Sequence, residues 1–276
     1  MKRNNKPMKK EQIKSYLRKL QLDNLEINLD LPTLSKIHDA HLKFIPYENL
    51  DCLNGKITSL KHEDLYNKII MRNRGGICFE LNGLYNWLLE SLGFKVVSYA
   101  GRFIDKLDPI QMRRHRVIVV TIEGKNYLTD IGVNSESPRI PLELVEEKIH
   151  SDGISQYKFT KDPFWGWLLW QKEKGKPWRR MFGFTEEPQL DIDFVMAAYW
   201  CDAHPDSPFR KTKKLSIFRE DCNITIRENY LKFYLGGRVK YRYKIKNGAE
   251  LKEILWEYFG INVEYALAND GIEFEK

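Results

Sequence analysis

Of the four cysteines in this 276-residue chain, Cys78 has the setting of a nucleophile. It follows Arg74-Gly75-Gly76-Ile77 and opens an apolar-periodic run that continues to Leu92. Unpaired N–H groups make a helix N-terminus locally positive, which favours thiolate over thiol. Glycines just upstream let the backbone turn sharply and leave the sulfur uncovered. The Cys78 backbone N–H is also a candidate oxyanion donor. Cys52, Cys201 and Cys222 lack such a setting and are expected to be structural, as most buried cysteines are.

A thiolate nucleophile calls for an imidazole, and the imidazole for a carboxylate that holds its tautomer. Among six histidines, His115 immediately precedes a strand-like run, RVIVVTI, and Asp130 ends the next one after a short turn. Antiparallel pairing places the start of the first strand beside the end of the second, so His115 and Asp130 should be neighbours. His38 and His41 are three apart on a predicted helix, but no third ligand accompanies them; they are expected to be structural, and no metal is expected. The constellation describes a cysteine-dependent acyl-transfer enzyme, hydrolase or transferase.

Composition narrows the setting. With 42% hydrophobic and 30% charged residues the chain is globular, and its net charge of +7 suits a small polyanion. No DNA- or RNA-binding motif accompanies that charge, so no nucleic-acid partner is expected. No apolar run is long enough for a membrane span, and the basic start lacks the apolar region of a signal peptide. These features predict a cytoplasmic protein without a membrane partner. The absence of any CxxC argues against structural zinc or a disulfide framework.

The elements that must position these residues change period along the chain. Apolar stripes predict helices over 10–20, 33–44 and 78–92, the last capped by Gly93. Strand-like runs follow at 94–104, 116–122 and 126–131, with a hairpin turn at Glu123-Gly124-Lys125, and β-like composition continues through a Trp-rich segment to about Asp191. A short helix is expected over 193–200. Four strands and a helix at 248–259 close the chain. The expected architecture is α+β: a helical bundle over 1–93, a β-barrel over 94–196, a linker over 197–211 and an α/β lid over 212–276.

Arg74-Gly75-Gly76-Ile77-Cys78-Phe79-Glu80-Leu81-Asn82 resembles the active-site signature of the arylamine N-acetyltransferases. Three other segments resemble that family: Ile45-Pro46-Tyr47-Glu48-Asn49-Leu50-Asp51, Tyr127-Leu128-Thr129-Asp130-Ile131-Gly132, and His204-Pro205-Asp206-Ser207-Pro208-Phe209. The resemblance implies a cysteine-protease-like Cys-His-Asp core and a two-step exchange. Cys78 takes the acetyl group from acetyl-CoA, and an arylamine, hydrazine or N-hydroxyarylamine takes it from Cys78. It further implies that Asp130 orients His115, and that Tyr47, Phe103 and Val133 line the acceptor pocket. Gln111 and Met112 stand where the family's backbone approaches CoA.

Departures from the family pattern affect the pocket. Val133-Asn134 replaces an expected Phe-Gly, which implies a wider or differently shaped acceptor site. Arg113 and Arg114 precede the histidine and are expected to form a solvated charged loop rather than to face phosphate. Two alternatives stay open: a relative that forms amides from another acyl donor, and a silent homologue that binds CoA without turnover. A cysteine protease would share the triad logic, with nothing further in the sequence to support it.

Overall fold

A computed structural model describes residues 6–104 and 110–262. Its first third is helical: α1 (Lys10–Lys19), α2 (Leu31–Phe44), α3 (Leu50–Leu53), α4 (His62–Tyr66) and α5 (Cys78–Leu92), with a two-residue strand β1 (Tyr47–Glu48) between α2 and α3. Asp30 caps α2 through its side chain, which accepts from the Thr33 N–H at 2.8 Å. Gly93 closes α5 in the left-handed conformation at φ 103°. Almost the whole of α5 is buried, so the helix that carries Cys78 is the axis of the first core.

The middle of the chain is one antiparallel sheet of eight strands: β2 (Lys95–Phe103), β3 (His115–Ile122), β4 (Lys125–Leu128), β5 (Leu142–Glu143), β6 (His150–Ser151), β7 (Ser155–Asp162), β8 (Gly166–Glu173) and β9 (Arg179–Gln189). Their order is β5-β4-β3-β2-β9-β8-β7-β6. The sheet curls round an interior that includes Val117, Val119, Phe159, Leu169 and Phe182. Just beyond β5, Glu146 bridges to Phe159 of β7, which brings the two ends of the sheet toward each other and nearly closes a barrel. Glu123 and Gly124 turn the β3–β4 hairpin with φ 51° and 76°, the left-handed pair that suits strand twist.

Residues 197–211 are helical in large part. After a 3₁₀ turn at Asp191–Phe194 come α6 (Val195–Ala203) and α7 (Pro208–Lys211), whose Ala198, Cys201 and Phe209 are built into the first core. Strands β10 (Lys214–Phe218), β11 (Cys222–Arg227), β12 (Tyr230–Leu235) and β13 (Arg238–Lys244) form an antiparallel meander, covered by α8 (Gly248–Phe259). The fold is thus α+β: helices, a barrel, then a smaller α/β unit.

Two features differ from the sequence expectation. Strand β4 stops at Leu128, so Asp130 lies in the coil beyond it rather than at the strand's end. β1 joins the C-terminal sheet, with Tyr47 opposite Ser216 and Glu48 opposite Leu215. That short strand ties the segment before the first glycines to the last third of the chain.

Candidate active site

Cys78 is the first residue of α5 and is 3% exposed, at the floor of a cleft of about 720 Å³. The turn before it leaves no room for side chains. A Cβ on Gly75 would lie 1.9 Å from the Pro46 carbonyl oxygen. Glu80, one turn on, accepts from the Ile77 N–H at 2.9 Å and so secures the start of the helix. At that start the Cys78 N–H is one of the first-turn donors that have no intrahelical acceptor.

A buried charge cluster lies behind this turn. Arg74, wholly buried, donates to Glu48 at 2.9 Å and to Asp51 at 2.8 Å. Lys68 stands 2.6 Å from both Asp51 and Glu80. Three carboxylates thus share two cations. Burial, with the Asp51 and Glu48 charges adding to it against Lys68, pushes the Glu80 carboxyl up to about 7.

His115 opens β3 and is fully buried, its ring 5.0 Å from those of both Phe103 and Phe182. Its Nε2 is 2.5 Å from Asp130 Oδ2. Its Nδ1 makes no hydrogen bond of good geometry. Burial opposes the charged ring, but the Asp130 carboxylate and then the neighbouring Cys78 side chain outweigh it and hold the imidazolium up to about 10. Asp130 is likewise buried, yet His115, Asn82 and the Gly132 N–H keep its carboxyl below the usual range.

Asn82 joins these parts. It lies one turn beyond Cys78, wholly buried, and its Nδ2 donates to Asp130 Oδ1 at 2.8 Å and to the Arg116 carbonyl at 2.6 Å. Its Oδ1 accepts from the Ile131 N–H at 3.2 Å. Gly132 must be glycine for the Asp130 loop to lie against the helix, since a Cβ there would stand 2.8 Å from Cys78 Cα. His38 supports the same loop from behind: its Nδ1 pairs with Thr129 Oγ1 and its Nε2 with the Pro138 carbonyl, each at 2.8 Å. His41 pairs with the Tyr16 hydroxyl at 2.8 Å, and among the described residues no group of three or more His, Cys, Asp or Glu could hold a metal ion.

Tyr47, Phe103, Gln111, Met112 and Val133 all line the cleft that Cys78 opens into. The Gln111 carbonyl accepts from Arg102 at 2.6 Å, and its side-chain oxygen from Arg114 at 2.9 Å. The two arginines before His115 part company. Arg113 is the expected solvated residue, 3.5 Å from Glu187 with 42% of its side chain exposed. Arg114 departs from expectation: it is only 9% exposed, stacked over Phe103 and Phe209 in the cleft wall. Sequence reasoning also gave no role to Asn82, Gly132, Lys214 or Trp200. Asn82 stands four residues after Cys78 in the Arg74–Asn82 segment, and that helical spacing is the signal that places it beside the nucleophile.

A thiol at a helix start, an imidazole beside it and a carboxylate on the far ring nitrogen form the arrangement used by thiol-dependent acyl-transfer and hydrolytic enzymes. Comparison with known proteins narrows the class. The family model described as N-acetyltransferase matches residues 30–268. The chain is 30% identical over 254 residues to the arylamine N-acetyltransferase of Mycolicibacterium smegmatis, covering 90% of this chain and 91% of that one. The solved arylamine N-acetyltransferase from Salmonella typhimurium superposes with a TM-score of 0.87 at 27% identity, over 93% of each chain. The Mycobacterium marinum arylamine N-acetyltransferase in complex with CoA superposes at 0.84, with 27% identity over 91% of this chain and 93% of that one. The chain belongs to the arylamine N-acetyltransferase family and is an acyltransferase.

Proposed function

We propose that the protein moves an acetyl group from acetyl-CoA to an arylamine, hydrazine or N-hydroxyarylamine through an acetyl-Cys78 intermediate. The observation that carries the reading is the buried Cys78, His115 and Asp130 constellation, whose Cys78 opens into the cleft. The imidazolium favoured on His115 pairs with the Cys78 thiolate in the free enzyme. That thiolate attacks the thioester carbonyl, the first-turn N–H groups of α5 face the developing oxyanion, and CoA leaves as its thiol. The amine then attacks acetyl-Cys78, and His115 takes the proton from the amine while the Cys78 sulfur is expelled. Asp130 keeps His115 in the tautomer that both steps need. Exchange of one thioester for another is near thermoneutral, so the site supplies positioning more than driving force.

Tyr47, Phe103 and Val133 form the acceptor wall in this reading, and Gln111 and Met112 the approach of the donor. A relative from Salmonella typhimurium is named as both an arylamine N-acetyltransferase and an N-hydroxyarylamine O-acetyltransferase, which supports both acceptor classes. The CoA complex of the Mycobacterium marinum relative supports the donor. In this reading residues 1–93, 94–196 and 212–276 are the helical, barrel and α/β parts, joined through 197–211; 1–5, 105–109 and 263–276 of these spans lie outside the described residues. No helix among the described residues is long and apolar enough to cross a membrane, and all four cysteines are free, as a reducing cytoplasm would keep them. Initial rates with acetyl-CoA and anisidine test the two-step scheme. Parallel double-reciprocal lines are expected, and lines that converge as in a ternary-complex mechanism would overturn it.

A further inference from the structure

The cleft holds more positive charge than its own carboxylates pair. The charged residues that line it are Arg114, Glu136, Arg179, Asp206 and Lys214. Glu136 pairs with Arg179 at 3.0 Å and Asp206 with Lys211 at 3.2 Å. Arg114 and Lys214 therefore have no carboxylate partner among the described residues. Arg114 is 9% exposed; its one hydrogen bond goes to the neutral Gln111 side chain at 2.9 Å, and its Nε is buried without a partner. A guanidinium cannot shed its charge, and a buried charge without a counter-ion is costly to keep. Both cations lie over the ring of Phe209, Arg114 at 5.6 Å and Lys214 at 5.5 Å. Burial, with Arg227 and Arg114 nearby, also holds the Lys214 ammonium below its usual range.

We propose that Arg114, assisted by Lys214, receives a carboxylate that the substrate carries close to the reacting bond, on the aromatic acceptor or on the acyl group in transfer. Position decides this against the phosphates of CoA. Arg114 immediately precedes His115, and its carbonyl is 3.8 Å from the Cys78 sulfur. Its guanidinium is 5.7 Å from the Phe103 ring, which is in turn 5.0 Å from the His115 ring. The phosphates of CoA are separated from the thioester by the whole pantetheine arm, whereas a carboxylate on a short acyl chain or on the acceptor ring stays within this range. Phe103, Phe209 and Tyr47 give an aromatic acceptor surfaces to pack on, and the planar guanidinium fork matches a carboxylate in two-point contact.

The proposal rests on the acyl-transfer reading above, so its first test is binding without turnover. Calorimetric titration of the free enzyme with 4-aminobenzoate and with the neutral 4-aminobenzamide should show the carboxylate bound about tenfold tighter or more. Arg114→Gln should remove that preference, Arg114→Lys should keep part of it, and Arg113→Gln should keep all of it. For the acyl source, intact-mass timing of the Cys78 adduct should show faster acylation by malonyl-CoA than by acetyl-CoA, again lost in Arg114→Gln. A preference in either arm that depends on Arg114 supports the proposal and identifies the source. No preference in both arms, or preferences that survive Arg114→Gln, would overturn it. So would a variant that loses acetyl-CoA affinity equally with charged and neutral acceptors, which would assign Arg114 to the phosphates. Absence of any adduct on Cys78 alongside an Arg114-dependent binding preference would instead sink the acyl-transfer reading alone.

Discussion

Asn82 and Asp130 are joined by a 2.8 Å hydrogen bond between two wholly or almost wholly buried side chains, 48 residues apart in sequence. Through it, the helix that starts with Cys78 fixes the carboxylate that holds His115. The spacing of one helical turn puts Asn82 on the face of α5 that carries Cys78. The nucleophile and the orienting carboxylate therefore keep a fixed relation although they come from a helix and a barrel loop.

Asn82 is a positioning residue on these grounds. Asn82→Ala should lower the rate of Cys78 acylation by about tenfold or more and cost about 1–3 kcal/mol in stability, since it leaves buried partners unpaired. A purely structural role would leave the pH profile alone. Here the alkaline limb of acylation should move to lower pH, because a less firmly held Asp130 supports the His115 charge less well. An unmoved profile would contradict this.

Asp130→Asn should cut turnover by about three to four orders of magnitude while the protein stays folded. The amide oxygen can still accept from Asn82 and Gly132, which turns its NH₂ toward His115 Nε2. That nitrogen must then accept, the proton moves to Nδ1, and the ring no longer serves as a base toward Cys78. Near-normal turnover in the variant would mean that another group orients the histidine.

Among the cysteines, Cys78→Ala should abolish transfer without unfolding the chain. Cys52 is buried in the helix-rich core, outside the lining of the cleft, and donates to Asp202 at 3.0 Å. Cys52→Ala should leave activity largely intact at a stability cost of about 1 kcal/mol. Equal loss of activity in both variants, measured against the melting temperature of each, would contradict a sole nucleophile.

The cluster behind the nucleophile should make stability depend on pH. The Glu80 carboxyl is raised to about 7 when folded, against an ordinary value of 4.5. A carboxyl that binds its proton more tightly in the folded state stabilises the fold fully below the unfolded value, and that contribution is lost as pH rises through the folded one. The groups that face it are Lys68, Asp51, Glu48 and Arg74. The melting temperature should fall as pH is raised from about 5 to about 8, and Glu80→Gln should flatten that slope. The same slope in wild type and variant would count against it.

Much of this was legible in the sequence, for physical reasons that differ along the chain. The α5 stripe and Gly93, the Glu123-Gly124 turn and the β-branched runs each impose local geometry, so the helix, the hairpin and the His115–Asp130 neighbourhood follow from short-range rules. β1 did not follow. Its two residues have no periodicity, and their partner lies at Ser216. The burial of Arg114 was hidden for a similar reason: two adjacent arginines look solvated until Phe209, 95 positions later, closes over one of them. The charge cluster of Arg74, Glu48, Asp51, Lys68 and Glu80 likewise depends on a fold that brings three segments together.

Passage of the acyl group through Cys78 is open to direct observation by intact-mass measurement. The protein is mixed with acetyl-CoA alone, its mass recorded and the adduct mapped, and anisidine is then added. A single acetyl adduct on Cys78 that disappears as acetylated amine forms is the predicted result. No adduct, or one on another residue, would contradict it.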